Sequence, residues 1–365
     1  MRTHEKQAVV TSKKALGDYL HLTAEEIAFD ETNPTSLPLK IPTYFLSLIN
    51  PEDPNDPLRR QVVPCISEQQ IEDEGTEDPL EEVHYSVTDR LIHRYSSRVA
   101  FLTTDICPMY CRHCFRRRFT GTFQGPASEQ QVREAATYVE EHPEVKEILF
   151  TGGDVLTLSD AHLESMIRSF RDKRPDLVIR LCTRIPSSYP MRVTDQLITM
   201  LKQFSTAPFY VMTQFNHPRE LTREAVAAIN RFVEAGIPAM NQTVLLRGVN
   251  DEVEILSELC NRLVANRVKP YYLFQGDLVQ GTAHFRVPLE RGLALEAELR
   301  KQLSGLAMPV YAIDLPEGGG KVPLGRTYLL GKTEDGKWMF QNAEGIIKTY
   351  PDPISGEQCG QAPLG

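Results

Sequence analysis

The chain has 365 residues, 41% hydrophobic and 24% charged, with a net charge of −9. That composition fits a globular protein with room for one large domain plus extensions, or for two domains. No apolar run reaches membrane-span length, and the acidic balance argues against a broad nucleic-acid-binding face.

Residues 1 to about 36 are polar and weakly periodic, and the first seven lack the apolar core of a signal peptide, so a cytoplasmic location is expected. The apolar run Ile41 to Ile49 follows, then prolines at 51, 54 and 57, which rule out a continuous helix there. Residues 67 to 82 are strongly acidic. Residues 1–95 read as an N-terminal, mostly helical wrap.

From Val99 a new pattern begins, in which short β-branched runs alternate with longer amphipathic ones. The pattern predicts strands at 99–104, 147–151, 178–182, 209–213, 239–245 and 268–273. Helices are predicted near 129–141, 160–171, 195–203, 222–235, 251–265 and 289–303, the first opening on a capping box from Ser128 to Gln131. Such alternation implies an α/β fold with a parallel sheet, and six units are fewer than the eight of a closed barrel. From pattern alone, a doubly wound open sheet competes with an open partial barrel. Residues 96–303 read as this core and 304–365 as a C-terminal segment. The latter holds a short strand at Val310–Ile313, the run Asp314-Leu-Pro-Glu-Gly-Gly-Gly-Lys321, and a pair of β segments between Trp338 and Tyr350.

In parallel α/β folds chemistry gathers at the C-terminal strand ends. Each predicted strand here carries or precedes polar residues: the loop after 104, then Gly152-Gly153-Asp154, Thr183-Arg184, Gln214, Asn241-Gln242 and Gln275-Gly276-Asp277. The loop after 104 holds Cys107, Cys111 and Cys114 in a C-x3-C-x2-C spacing. Thiolates so placed suit an iron–sulfur cluster or zinc, and three of them leave a four-iron cluster with one iron open. Two alternatives are a zinc site closed by His113 and chance clustering. The other cysteines, 65, 182, 260 and 359, are scattered, so the seven form no disulfide framework. Arg116-Arg117-Arg118 reads either as a solvated basic patch or, beside a metal loop, as a site for anionic small-molecule groups. Lys321 reads either as a surface lysine or, behind three glycines that free the backbone, as a lysine brought into a crowded site.

The stretch Cys107-Pro-Met-Tyr-Cys111-Arg-His-Cys114-Phe-Arg-Arg-Arg-Phe-Thr-Gly121 resembles the signature of radical S-adenosylmethionine (SAM) enzymes, and most closely that of the lysine 2,3-aminomutases. The resemblance runs from about Leu37 to about Pro353. It implies an open (β/α)6 partial TIM barrel with an N-terminal helical extension and a small C-terminal β-containing segment. It implies a [4Fe-4S] cluster on Cys107, Cys111 and Cys114, with SAM on the open iron near Gly152, Gly153, Asp154 and Gln242. Lys321 would carry pyridoxal 5′-phosphate (PLP), with Arg94, Tyr95 and Arg98 near its phosphate. Arg116 would hold the amino acid's carboxylate, and Asp277 and Asp314 its distal cation, which disfavours glutamate. Glu317 stands where the family usually has glycine, and Gln214 where it has histidine. With only Cys359 in the tail, no zinc site is expected.

The implied reaction is conversion of L-lysine to L-β-lysine, an isomerisation. Other readings are the same chemistry on another cationic amino acid such as arginine, or the β-lysine route that modifies elongation factor P, which Leu278 to Phe285 resembles. A non-catalytic electron-transfer or regulatory protein is the alternative from another class. The expected partners are a free amino acid, a low-potential donor of flavodoxin or ferredoxin type, and further copies of the chain; nucleic acid and membrane are not expected.

Overall fold

The computed structural model describes residues 8–33, 36–70 and 75–351. Ten strands form one sheet: β1 Ser86–Thr88, β2 Leu91–Tyr95, β3 Arg98–Thr104, β4 Glu147–Gly152, β5 Val178–Thr183, β6 Phe209–Thr213, β7 Ala239–Val244, β8 Val268–Phe274, β9 Val310–Leu315 and β10 Gly320–Pro323. They lie side by side in chain order. β3 through β9 run parallel, while β1, β2 and β10 are antiparallel additions at the two edges. The edges do not pair with each other, so the barrel stays open.

Helices α1 Glu129–Glu141, α2 Asp160–Lys173, α3 Asp195–Lys202, α4 Arg223–Glu234, α5 Val253–Ala265 and α6 Leu289–Gln302 supply the crossovers. Ser128, Ser159, Thr194 and Thr222 each accept a backbone N–H at the start of one of the first four, meeting donors that helix N-termini leave unpaired. The capping box expected at Ser128 and Gln131 is present in both directions. Between the first strands and helices, Phe101, Phe150 and Phe170 stack at tilted angles with centroids 5.4 to 6.1 Å apart.

Six βα units were expected, and they are followed by a seventh parallel strand. β9 extends the short strand expected at 310–313 and joins the sheet with Tyr272 opposite Val310. The return of α6 makes this possible, and Tyr311 drives it: the ring is buried and its hydroxyl donates to Gln275 Oε1 at 2.6 Å.

The first 95 residues depart from the helical expectation. Their helices are single turns of four or five residues (Lys13–Leu16, Ala24–Ala28, Thr43–Leu46, Pro57–Arg60), and β1 and β2 extend the main sheet. Prolines at 42, 51, 54 and 57 interrupt the segment, and the carboxylates of Asp53 and Asp56 accept from the backbone N–H groups of Asn55 and Leu58, so turns and short helices alternate. The wrap instead packs around its own apolar cluster, which includes Leu16, Ile41, Phe45, Leu58 and Met109, and buried ion pairs fix its path, Arg59 to Glu26 at 2.5 Å and Arg112 to Glu68 at 2.6 Å. The β pair expected between Trp338 and Tyr350 forms as Trp338–Gln341 and Ile347–Tyr350, with Leu329–Lys332 as a third strand. Cys359 lies outside the described residues. No described helix is long and apolar enough to cross a membrane.

Candidate active site

The C-terminal ends of the parallel strands open onto a cavity of about 440 Å3. Its wall includes every site residue expected from the sequence: the three cysteines, Arg94, Tyr95, Arg98, Arg116, the 152–154 turn, Gln242, Asp277, Asp314 and Lys321.

The cysteine loop leaves β3 through buried Asp105, whose carboxylate accepts from Gly125 N at 2.8 Å, Gln124 N at 3.0 Å and Thr122 Oγ1 at 3.0 Å. The wrap holds the other side. Lys40 Nζ donates to Cys107 O at 2.7 Å, and fully buried Arg112 bonds Glu68 and the carbonyls of Leu37 and Pro38. Burial pushes the thiols of Cys107 and Cys114 up, and nearby Cys111 raises both further. Crowded thiols of this kind release their protons to a metal, so the loop fits a thiolate-bound cluster. Among the described residues no three His, Cys, Asp or Glu side chains close on a single metal ion. His113 Nε2 is engaged by the amides of Gln214 and Asn216, each at 3.3 Å, and burial holds the ring neutral.

Beside this loop, Gly152 sits at φ +105°, where an L side chain is strained. Gly153 passes against the cysteine loop, and a Cβ there would lie 2.7 Å from Ile106 C and 2.8 Å from Asp105 C. Gly153→Ala is therefore expected to push the Cys107 loop outward, at about 1–3 kcal/mol in stability. Iron per chain after anaerobic reconstitution should fall, and the melting temperature with it. Asp154 ties neighbouring strand ends together, accepting from Thr183 Oγ1 and Arg184 N at 2.7 Å each and from Leu156 N at 3.0 Å. Burial still raises its carboxyl to about 6.

Across the cavity, β9 and β10 form a hairpin that sets Asp314 opposite Lys321. Lys321 Nζ pairs with Asp314 and lies 4.0 Å from the Phe274 ring centroid, and its backbone N–H donates to Tyr95 Oη at 3.1 Å. Glu317, in the hairpin turn, takes φ +54°, the left-handed conformation that suits glycine. Asp277 has its carboxyl pushed up to about 7, first by burial and then by the charge of Asp314.

The arginines divide into two groups. Arg94 Nη1 reaches Asp314 at 4.0 Å, while its buried Nε and Nη2 have no hydrogen-bond partner among the described residues. Arg98 lies 3.8 Å over the Tyr95 ring. Unspent buried donors beside a lysine fit a phosphate-bearing aldehyde cofactor such as PLP. The basic run, read as a solvated patch or as a site for anionic groups, is largely neutralised by the acidic wrap. Arg117 pairs with Glu68 at 3.0 Å, and Arg118 with Asp78 at 3.3 Å and Glu82 at 3.2 Å. Arg116 is forked by Glu82, with contacts of 2.6 to 3.1 Å, and bonds Thr151 Oγ1 at 3.0 Å, leaving only part of its guanidinium free toward the cavity.

The sequence assigned no role to two charged residues of this wall. Glu82 carried no signal beyond its place in an acidic stretch. Arg184 did carry one, since it follows a strand end as the other site residues do; its Nη1 donates to Cys111 Sγ at 2.8 Å.

Comparison with known proteins agrees with this arrangement. The family model described as "Radical SAM superfamily" matches residues 101–260, and the one described as "Lysine-2,3-aminomutase" matches residues 296–362. L-lysine 2,3-aminomutase of Clostridium subterminale is 41% identical over 95% of this chain and 82% of its own length. That of Bacillus subtilis is 40% identical over 96% of this chain and 73% of its own. Glutamate 2,3-aminomutase of Clostridioides difficile is 37% identical over 94% of this chain and 81% of its own. The radical SAM match carries with it a [4Fe-4S] cluster and SAM. By these matches over nearly its whole length, and with its open barrel and three-cysteine loop, the chain is an isomerase of the radical SAM lysine 2,3-aminomutase family.

Proposed function

We propose that the protein moves the α-amino group of L-lysine from C2 to C3, with PLP held by Lys321. The observation that carries the reading is the paired carboxylates Asp277 and Asp314 in the same cavity as Lys321 and the cysteine loop. Two neighbouring carboxylates in a partly enclosed site attract a cation and repel a distal carboxylate. This favours lysine over the glutamate named in one relative.

When bound, the cluster and SAM supply a radical able to take a hydrogen from an unactivated carbon, and PLP supplies the carbonyl that carries the migrating nitrogen. The protein's part is positioning. Lys321 would hold the cofactor, and Asp314 beside it pairs with the lysine ammonium whenever that amine is free. Arg94 and Arg98 supply the cationic end for the cofactor phosphate, with Tyr95 between them. The free part of Arg116 orients the substrate carboxylate, while Glu82 fixes the rest of its guanidinium. Gly152, Gly153, Asp154 and Gln242, which line the same cavity, would face SAM. Turnover would draw on a low-potential donor of flavodoxin or ferredoxin type.

The test is anaerobic reconstitution with iron, sulfide and PLP, followed by SAM, dithionite and a panel of amino acids, with β-amino acids read by mass spectrometry. β-Lysine from lysine and no product from glutamate is the expected result. A β-product from glutamate alone would overturn the substrate. Absence of SAM cleavage by a protein with a reduced four-iron cluster would overturn the reaction.

A further inference from the structure

Arg184 directly follows β5, and it is buried. Both its backbone and its head group are fixed. The backbone N–H donates to Asp154 Oδ2 at 2.7 Å, and its carbonyl accepts from the hydroxyls of Ser187 at 3.2 Å and Ser188 at 2.9 Å. Nη2 donates to Gln61 Oε1 and, at 3.0 Å, to Glu220 Oε2. Glu220 is fully buried and is locked in turn by the backbone N–H groups of Asn216 at 3.0 Å and His217 at 3.1 Å and by Gln61 Nε2 at 3.2 Å. This frame leaves Nη1 on Cys111 Sγ at 2.8 Å. A buried ion pair is a poor source of stability, because desolvating both charges offsets most of their attraction. A guanidinium built this firmly onto one particular sulfur calls for another explanation.

We propose that Arg184 is a positioning residue for the iron–sulfur cluster, which it makes easier to reduce through a charge-assisted N–H···S bond to Cys111. The proposal rests on the cluster and is independent of the choice of substrate or of PLP. Reduction adds one electron, taking a [4Fe-4S] cluster from the 2+ to the 1+ state; dithionite supplies it in the test, and a low-potential one-electron donor in turnover. The added negative charge spreads onto the thiolate sulfurs. A cation hydrogen-bonded to one of them stabilises the reduced state more than the oxidised one, the established way outer ligands shift cluster potentials. Gln61 comes from the N-terminal wrap and Glu220 from the loop after β6, so the wrap takes part in setting the potential.

The experiment compares wild type, Arg184→Gln and Arg184→Lys, each reconstituted anaerobically and titrated with dithionite under potentiometric control. The reduced cluster is read by electron paramagnetic resonance without SAM or substrate, and iron and sulfide per chain are measured alongside. Arg184→Gln should keep its iron and sulfide and shift the reduced-to-oxidised ratio at fixed potential by about tenfold toward oxidised, about 59 mV lower for a one-electron couple. Arg184→Lys keeps the charge but loses the fork and should shift in the same direction by less. An unchanged midpoint in Arg184→Gln with full iron and sulfide overturns the proposal. If the glutamine variant assembles no cluster, the lysine variant decides: a lowered midpoint supports the proposal and an unchanged one overturns it. β-Lysine assays are not part of the readout, so the substrate reading can fail while this one stands.

Discussion

Asp277→Asn should yield a protein that is more stable at pH 8 and much poorer at using lysine. In the folded chain the Asp277 carboxyl is raised to about 7 by burial and by the charge of Asp314. An unfolded aspartate titrates near 4, so the folded state binds this proton more tightly. Stability from the group is therefore full below about pH 4, falls as pH rises toward about 7, and is lost above that. Asparagine never ionises and escapes the loss. The expected gain at pH 8 is at most a few kcal/mol, a melting shift of several degrees that vanishes near pH 4. Binding runs the other way. A substrate ammonium favours the ionised carboxylate, so below pH 7 it must displace a proton to gain the interaction. Wild-type KM for lysine should rise as pH falls below about 7, by up to about tenfold per unit. The asparagine variant should lose that dependence, with KM raised about a hundredfold at pH 8 through loss of a charge-assisted pair. Melting curves and initial rates across pH 5 to 9 check both halves. If KM in Asp277→Asn matches wild type throughout, Asp277 does not face the distal cation.

The parallel strands were legible because each is a short run in which β-branched, aromatic and other apolar residues cluster, and four of the helices between them open on a Ser or Thr cap. The cysteine spacing is local, and so is the Asp314–Lys321 separation, which becomes one cross-strand pair. What escaped depends on contacts between distant segments. The acidic stretch at 67–82 and the basic run at 116–118 are both plain in the sequence, yet only folding shows that Glu68, Asp78 and Glu82 neutralise those arginines. Arg184 lies 73 residues from the cysteine it touches, and no spacing rule joins them. The seventh parallel strand was visible as a segment but not as part of the sheet, since its pairing is made by the return of α6. The wrap reads as helical because weak periodicity between prolines resembles short helix, whereas its order comes from an apolar cluster that gathers residues from Val10 to Met109, with ion pairs to distant residues fixing its path.

Lys321→Ala should abolish β-lysine formation, with a loss of roughly a thousandfold or more if the lysine holds the cofactor covalently. The side chain also balances charge: Nζ pairs with Asp314, and the same cation holds down the carboxyl of Asp277. An inactive alanine variant could thus reflect either a lost covalent anchor or a cavity left with two uncompensated acids. Lys321→Arg separates the two, because arginine restores the cation but not an amine that can bond to an aldehyde. If the anchor matters, both variants lose activity, and borohydride added with PLP should leave a covalent mass increment on Lys321 in the wild type alone. Both variants should keep wild-type iron content, since the cysteine loop lies across the cavity from the β9–β10 hairpin. If Lys321→Arg restores most of the activity, the lysine is a counter-ion for Asp314 and the cofactor is bound elsewhere. The hairpin favours the anchor: Phe274 packs against the ammonium, Tyr95 fixes the backbone, and Arg94, whose Nη1 lies 4.0 Å from the same Asp314 carboxylate, keeps Nε and Nη2 unpaired among the described residues. A counter-ion would need none of these three.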